Sequence, residues 1–459
     1  MVQRNPSSLE MYEDFILKEV TLINYQDEEI DVQHLRIRID IYEDMFHNCC
    51  SGMISISDAL DLPHLFPFVG AERIRITFSK PLPVRRETDS DESIEFSKTF
   101  RIYNVSDRQV TRNNHQVYTL KFVSEELFKN ETSVVQRGFV DKTYSEMVEI
   151  VYDELIRIDK DLEIEPTKFL HRHTSNNQKP FQFFNSVASM SVSEEENGSF
   201  YVFYEDRDKF NFVTLGKLVQ KDPVEEYVYW QKNAPDPDLI NNDQRPESAD
   251  REIVNVEKYV VNSQINPLMN LKQGMYGSTF FHIDTIRKKT ELQEFKLSEE
   301  FDSFKHVDKS KPFPEDYDLL DKTDAHIRLT LSDKDRDLQE HLTSRDEQIA
   351  QTRRYDESHL KRKSQLFQMN TLKLGVKVPG DPKITVGDMI AFNLPSNEAD
   401  VYEGSPRQLD DYLQGKYLVT AVKHTIDSNK YTMTMSIMKD TLFSNIKYVD
   451  PAKKYKDIY

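Results

Sequence analysis

With 459 residues and a formal net charge of −19, the chain has room for about three domains and lacks the clustered lysine and arginine of a nucleic-acid-binding face. No apolar run reaches the roughly 18 residues of a membrane helix, and the polar start at 1–15 has no signal-peptide core, so we expect no stable membrane insertion. Scarce glycine (12) and plentiful tyrosine (22) and phenylalanine (27) indicate a folded, strand-rich protein.

The first region, residues 1–128, is predicted to be a β module. Apolar and polar residues alternate through 35–41, 54–56 and 74–78, which buries one face of each strand and wets the other. The segment 81–93 is polar and contains proline, so it is predicted to be a loop.

The two cysteines of the chain, Cys49 and Cys50, are neighbours in this region. A disulfide between adjacent residues is strained, and secreted scaffolds carry more cysteines. We therefore predict two reduced structural thiols.

The second region, 129–220, is predicted to be a small α+β domain. Helical spacing over 144–155, with Thr143 as the cap, predicts one helix, and 180–189 predicts a second. The apolar runs on either side of 206–208 predict a hairpin with a polar turn.

The third region begins with a linker or long loop at 221–252, rich in proline, aspartate and asparagine. A second β module is predicted from 253–285 and 365–446, with strands at 254–261 and through 372–394. Between its two parts lies a charged insertion, 286–364. Its end is predicted to be helical over 353–370, with Leu360, Phe367 and Ser364 on one side. Residues 396–414 are predicted to be an acidic loop and 447–459 a C-terminal tail.

A hairpin in the first module resembles the hairpin at 416–443. In this alignment the turn is four residues shorter in the second copy. Each hairpin is followed by a Leu-Phe pair, and the two pairs lie two positions out of alignment with each other. Two interpretations stay open on the repeat alone, namely a duplicated module or two unrelated amphipathic hairpins. The aligned residues are Phe100 with Tyr417, Ile102 with Val419, Val105 with Val422, Tyr118 with Tyr431, Leu120 with Met433 and Phe122 with Met435.

Motifs of catalysis and phosphate binding are absent from the sequence. There is no G-x-x-x-x-G-K-[ST], G-x-G-x-x-G, H-E-x-x-H or G-x-S-x-G. We therefore predict no catalytic residues, no cofactor and no metal site.

Two patterns imitate metal sites without completing one. His171 and His173 have no cysteine or acidic pair nearby at metal spacing, so we interpret them as solvated loop histidines. Asp333, Asp335 and Asp337 open like a calcium loop, but Leu338 and Ser344 replace its required glycine and glutamate, which indicates a solvated charge run.

Two further candidates are more simply explained as structural. His424 has no positioned serine or cysteine in the local sequence, so we expect packing or hydrogen bonding rather than base catalysis. Trp230 with Tyr227 and Tyr229 would suit a binding patch, and a loop anchored on a domain is the favoured interpretation.

Four segments, the last of them in two parts, together resemble the central baseplate hub proteins of contractile-tailed, T-even-like phages. None is a short invariant signature, and the likeness rests on their order along most of the chain. They are Val134–Leu155, Pro180–Leu218, Gln273–Asp284, Leu372–Pro395 and Gly415–Asp440.

The resemblance implies a mainly β (α+β) fold with two tail-tube-like antiparallel β-barrel or sandwich modules, an intervening α+β domain and an insertion in the second module. It implies a trimeric ring that adapts the six-fold tail tube to a three-fold spike and leaves a channel for DNA. The implied partners are a tail tube protein, a spike or needle protein, and baseplate wedge and tape-measure proteins. The place implied is the virion baseplate, after assembly in the host cytoplasm.

Two expectations follow for such a ring. If the acidic charge lines the lumen, DNA slides past without binding. Strands at 372–378 and 431–438 are expected to contribute to an inner barrel, so that Met433→Asp or Ile437→Asp prevents trimer assembly, whichever of the two faces inward.

Three other functions are alternatives to this one. The hub of a related contractile injection system is a close variant. A peptidoglycan hydrolase in 129–220 is disfavoured, because Glu149 and Glu154 are predicted on the wet face of a helix. A host-binding adhesin is weaker still, since the chain has no fibrous repeat.

Overall fold

The computed structural model describes nine stretches of the chain. Their strands and helices form a 13-stranded sheet, three small sheets and a set of mostly short helices. The stretches are 13–80, 95–110, 115–195, 198–229, 254–284, 288–314, 317–331, 359–395 and 409–443. Outside them lie the predicted loop 81–93, the tail 447–459, Trp230, the aspartates at 333–337 and most of the acidic loop 396–414.

The first β module supplies seven strands of the large sheet, in the order β3-β4-β7-β6-β5-β1-β2. Its predicted alternation is confirmed at Ile54, Ile56, Ile74, Ile76 and Phe78, all fully buried. The strands are β1 (Ile16–Ile23), β2 (Glu29–Asp31), β3 (Arg36–Asp44), β4 (Ser51–Asp58), β5 (Arg73–Ser79), β6 (Glu95–Val110) and β7 (Gln116–Ser124).

One position departs from that alternation. A register shift between Arg36 and Arg38, where β3 pairs with β4, leaves Ile37 42% exposed while Ile39 and Ile41 are buried. A bulge adds one residue to a strand and so breaks the two-residue period locally.

The second β module supplies the other six strands of the same sheet. Its core is a dense apolar cluster of leucine, valine, isoleucine, methionine and aromatic side chains. The strands are β13 (Pro223–Val228), β14 (Lys258–Gln264), β18 (Leu372–Pro379), β19 (Met389–Asn393), β20 (Gly415–Ile426) and β21 (Tyr431–Lys439).

The two modules are joined in one sheet, a connection that the sequence did not predict. Strand β20 pairs antiparallel with β3, so hydrogen bonding runs unbroken from one module into the other. The predicted linker at 221–252 also contains β13, which pairs with β19.

The α+β domain between the modules has the predicted elements. Thr143 caps the first helix through a capping box with Glu146. Aromatic side chains from the second helix and the hairpin fill its core. The elements are α2 (Glu125–Thr132), α3 (Tyr144–Val151) with a π turn at Tyr152–Ile156, α4 (Pro180–Met190), α5 (Leu215–Val219), β8 (Gly138–Lys142), β9 (Leu162–Ile164), β10 (His171–Thr174), β11 (Tyr201–Glu205) and β12 (Phe210–Thr214).

The insertion has its own three-stranded sheet and starts earlier than predicted. Strand β15 lies before residue 286 yet pairs only within this sheet. The predicted helix near its end is present over 359–369, with Leu360 and Ser364 buried. The elements are α6 (Pro267–Gln273), β15 (Gly277–Asp284), β16 (Lys289–Lys296), α7 (Leu297–Glu300), β17 (Ile327–Leu331) and α8 (359–369); α1 (Leu62–Leu65) lies in the first module.

Candidate assembly surface

The described residues contain no cluster of three or more histidine, cysteine or acidic side chains that would hold a metal ion. His171 and His173 lie on strand β10 rather than in a solvated loop. The ring of His171 stacks on Tyr144 with the centroids 4.0 Å apart, and burial lowers the pKa of His171 to about 4. Packing against an aromatic neighbour explains the pair without a ligand.

His424 is structural, as predicted. It is 1% exposed, and its Nδ1 lies 2.8 Å from the hydroxyl of Tyr431. Its Nε2 lies 3.8 Å from Oε1 of Glu43, so it also bridges the two modules. Burial acts to raise the pKa of Glu43, but His424, Lys98 and the hydrogen bond from Thr385 together outweigh burial and lower this pKa.

A cavity of about 390 Å³ lies between the α+β domain and the insertion. The described residues that line it include Arg328, His359, Arg362 and Lys363 but no carboxylate. Two carboxylates are what glycoside hydrolysis requires. On the first predicted helix, Glu149 and Glu154 are exposed, as expected of its wet face.

The two β modules repeat the same arrangement of six strands. The neighbour order is β1-β5-β6-β7-β4-β3 in the first and β13-β19-β20-β21-β18-β14 in the second. Numbered along the chain, both orders are 1-4-5-6-3-2. All pairs are antiparallel except β13–β19, which is parallel where β1–β5 is antiparallel. The duplicated module is therefore present in the fold.

The register of the repeated hairpin differs from the sequence alignment by two residues in its second strand. Ile102 pairs with Phe122, whereas its equivalent Val419 pairs with Ile437 and not with Met435. The turn is thus two residues shorter in the second copy, not four.

The corrected register also aligns the Leu-Phe pairs, because Leu127 and Phe128 then match Leu442 and Phe443. A bulge follows the first-strand residue in both copies, between Ile102 and Asn104 and between Val419 and Ala421. Shared irregularities of this kind support the equivalence more strongly than alternation does.

The joint between the modules is the antiparallel pairing of 421–426 on β20 with 39–44 on β3. Ile426 lies opposite Ile39, and both are fully buried. Next to them, Thr425 Oγ1 donates to Asp40 Oδ1 at 2.8 Å. The joint is thus a continuous piece of sheet with its own cross-strand contacts.

A buried ionic cluster fixes the α+β domain to the first module. Glu205, at the end of β11, accepts from Lys98 Nζ at 2.9 Å, from Ser124 Oγ at 2.6 Å and from the backbone N–H of Cys50 at 2.8 Å. Lys160 Nζ lies 2.8 Å from the same carboxylate.

The cluster shifts the protonation of its members. Burial acts to raise the pKa of Glu205, but Lys98 and Lys160 outweigh it and lower this pKa to about 2. Burial raises the pKa of the thiols of Cys49 and Cys50, which are free as predicted. A protonated thiol is a poor nucleophile, so the pair is structural.

In the described part of the large sheet, two of the strand edges that lack a neighbour carry exposed apolar side chains, one on β6 and one on β14. Strand β6 has β5 beside it only as far as Arg101, and its remaining residues have β7 on one side alone. Strand β14 is the end strand of the sheet, paired with β18 only. Exposed apolar side chains lie on both: Tyr103 (55%), Val105 (38%), Val110 (72%), Val260 (47%) and Val261 (38%).

Other expected surface residues lie inside the molecule. Met433 and Ile437 are both fully buried in the second-module core, so aspartate at either would disrupt the module itself rather than an inner wall. Tyr227 is 2% exposed in strand β13 and not in a loop. No helix of the described residues is long and apolar enough to cross a membrane.

Sequence reasoning did not find the open edges or the ionic cluster. The signal for the edge of β6 was present, since apolar residues continue through Tyr103, Val105 and Val110 beyond the part of β6 that β5 covers. Lys98, Cys50 and Glu205 are too far apart in the chain for any local pattern to associate them.

Comparison with known proteins gives one sequence relative and several similar folds. No protein-family model matches the chain. The probable baseplate hub protein of Vibrio phage KVP40 is 21% identical over 440 residues, covering 94% of this chain and 95% of the relative.

Two solved structures share the fold. The tail protein from Neisseria meningitidis MC58 is 8% identical with a TM-score of 0.51, covering 93% of this chain and 99% of the other. The 43 kDa tail protein of prophage MuSo2 from Shewanella oneidensis is 8% identical with a TM-score of 0.52, covering 92% and 99%. The predicted resemblance is confirmed, because this chain is a distant homologue of a phage baseplate hub protein over nearly its full length.

Proposed function

We propose that three copies of this chain form the closed central ring of a phage tail baseplate, in which six similar β modules meet a six-fold tail tube while the ring itself has the three-fold symmetry of a spike. The observation that carries the proposal is the six-strand arrangement that occurs twice within one continuous sheet. Two modules a chain and three chains give six units, and they alternate between two kinds.

The open edges support a ring rather than a two-fold dimer. They lie on different modules, one on β6 and the other on β14. If the β6 edge of one copy binds the β14 edge of the next, the two surfaces in the contact are different. Interfaces of this head-to-tail type generate rings when the rotation closes. Unpaired strand edges are also a hazard for aggregation unless a partner covers them.

The charge of the chain suits passage of DNA. Three chains of −19 each carry −57 formal charges. Where this charge faces the channel it repels phosphate, since binding of DNA requires cations. A lumen wall that proves basic or neutral in the assembled ring would contradict this part of the proposal.

The partners follow from the two faces of such a ring. A tail tube protein would meet the six-module face and a spike or needle protein the three-fold face. The insertion is held to the second module by Asp440 and His306 at 2.6 Å, and we propose that it contacts wedge or tape-measure proteins.

The solution mass of the purified chain tests the proposal first. Light scattering coupled to size exclusion should give three times 54.0 kDa, or 162 kDa, for a ring of three. The measurement is made over a range of concentrations and again with the spike protein added. A chain that stays at 54.0 kDa under every condition would contradict the ring.

A further inference from the structure

The joint inside the chain provides a template for contacts between chains. Strand β20 continues past β19 and pairs with β3 of the first module. Its equivalent, β6, continues past β5 in the same way, but its continuation has no strand beside it among the described residues. The equivalent of β3 is β14, whose outer edge is open as well. Each chain thus carries both strands of a second such joint, β6 and β14, but they are not paired with each other within the chain.

The equivalence of β20 with β6 follows from their pairings with the next strand. Thr425 pairs with Thr432, and Ile426 with Tyr431. Equivalent residues of β7 and β21, the second strands of the two hairpins, differ by 315 in number, so Val117 matches Thr432 and Gln116 matches Tyr431. The matching pairs in the first module are therefore Gln109 with Val117 and Val110 with Gln116. The extra residue of β6 lies between Ser106 and Gln109 and is absorbed by its register shift.

The equivalence of β3 with β14 follows through β4 and β18. Ile54 pairs with Leu120 and Val376 with Met435, which makes Ile54 and Val376 equivalent.

Ile39 lies opposite Ile54, and Tyr259 lies opposite Val376. Tyr259 therefore takes the place of Ile39, and Val260 takes the place of Asp40.

We propose that the open half of β6 in one copy pairs antiparallel with β14 of a second copy, with Gln109 opposite Val260 and Val110 opposite Tyr259. This inference rests on the proposed ring and specifies its contacts. The template is the pairing of Thr425 with Asp40 and of Ile426 with Ile39.

The side chains at these positions agree with the pairing. Ile426 and Ile39 form a buried apolar pair in the joint, and Val110 with Tyr259 would form its apolar counterpart. Val110 is 72% exposed, and pairing would bury it. The hydrogen bond of Thr425 with Asp40 has no counterpart in Gln109 with Val260, so the contact between chains is more apolar than the joint within the chain.

Cysteine crosslinking in the full-length chain tests the register. Gln109→Cys with Val260→Cys places two thiols on facing positions of the same sheet side, within reach of a disulfide. The matched control is Gln109→Cys with Val261→Cys, because neighbouring residues of a strand point to opposite faces. Under mild oxidation, we expect at least about tenfold more crosslinked dimer and trimer from the first variant on a non-reducing gel. The unsubstituted chain, with Cys49 and Cys50, gives the background.

The outcomes separate this inference from the ring itself. Mixing chains with Gln109→Cys alone and Val260→Cys alone should give crosslinked dimers, whereas neither should crosslink with itself. Self-crosslinking of either would indicate a two-fold contact and overturn the pairing. Trimers by light scattering whose Gln109–Val260 crosslink is no stronger than the control would overturn the register but keep the ring. Monomers without crosslinks would overturn both.

Discussion

The joint between β20 and β3 and the open edges of β6 and β14 are the same pair of strands in two settings. In the joint, the strands meet within one chain and bury polar side chains among apolar ones, including Asp40, Glu43 and His424. On the open edges, apolar side chains such as Val110 and Val260 stay in contact with solvent. The two copies of this strand pair have therefore diverged in side-chain chemistry.

The difference follows from how each contact forms. A contact within the chain forms as the chain folds, so its partners are always present and buried polar groups can be hydrogen-bonded permanently. A contact between chains must lose its bound water at every encounter. Removing water costs free energy for polar side chains but is favourable for apolar ones. Substitutions at equivalent positions of the joint and of the open edges test this difference.

The largest effect is expected from Ile426→Asp in the joint. A carboxylate at this fully buried position is left without a partner, which destabilises by more than about 4 kcal/mol. Thermal unfolding of the full chain, followed by circular dichroism, measures the loss.

The matched change on the open edge is Val110→Asp, at the equivalent position. Because Val110 is 72% exposed, we expect the unfolding midpoint of the isolated chain to remain within about 1 °C. The mass from light scattering should nevertheless fall from trimer to monomer, because pairing would bury the charge. Equal destabilisation by both substitutions would refute the comparison.

A smaller loss is expected from Glu205→Gln, which removes the buried counter-charge of Lys98 and leaves Lys160 with Glu126 alone. Removal of one partner from a buried ion pair costs about 3 kcal/mol, and the amide keeps part of the hydrogen bonding. The pKa of Glu205 is about 2 in the fold against 4.5 as the ordinary value, so its contribution is present above pH 4.5 and is lost as pH falls towards 2. Denaturant unfolding at pH 7 and pH 3 checks both statements.

Glu163→Gln provides the control for this change. Glu163 also pairs with two lysines, Lys209 and Lys217, but about a third of its side chain is exposed to solvent. Solvent screening limits such a pair to about 1 kcal/mol or less. A loss as large as that of Glu205→Gln would show that burial is not what distinguishes the two carboxylates.

A loss smaller than that of Glu205→Gln is also expected from Asp440→Asn, where the insertion meets the second module. Burial acts to lower the pKa of His306, but the bond with Asp440 outweighs it and raises the pKa. The stabilisation is thus complete below pH 6.5, the ordinary value, and is lost as pH rises through the raised pKa. Loss of this charge-assisted bond should cost about 1–2 kcal/mol at pH 6.

Hydrogen exchange of residues 301–308 at pH 6 and pH 9 measures that contact. In the unsubstituted chain, exchange should be faster at pH 9 after correction for the intrinsic rate. Asp440→Asn should reduce the difference between the two pH values. A pH difference that Asp440→Asn leaves unchanged would assign the titration to another group.

Local patterns predicted most elements but not how they join. Alternation predicted the strands at 54–56 and 74–78, and helical spacing with Thr143 predicted α3, because burial of one face is a local property of the sequence. The repeat was found, but its second strand was set two residues off by matching Tyr118 with Tyr431. A shift of two residues preserves the alternation, so periodicity alone does not detect it.

Contacts between distant residues were beyond such patterns. The pairing of Ile39 with Ile426 and the bond of Lys98 with Glu205 depend on where whole modules lie. The insertion was placed too late because the strand at Gly277–Asp284 reads as a continuation of the module, although it pairs with β16 and β17.

In the proposed ring, the continuous sheet across β20 and β3 would also reduce the number of encounters needed for assembly. Six separate modules would need five successive encounters before a ring could close, whereas three chains that each contain a finished joint need two. Once the second encounter has occurred, the last contact forms between ends of one complex at a high effective concentration. Incomplete arcs are therefore fewer and shorter-lived, and ring formation depends less steeply on the concentration of the chain in the cell.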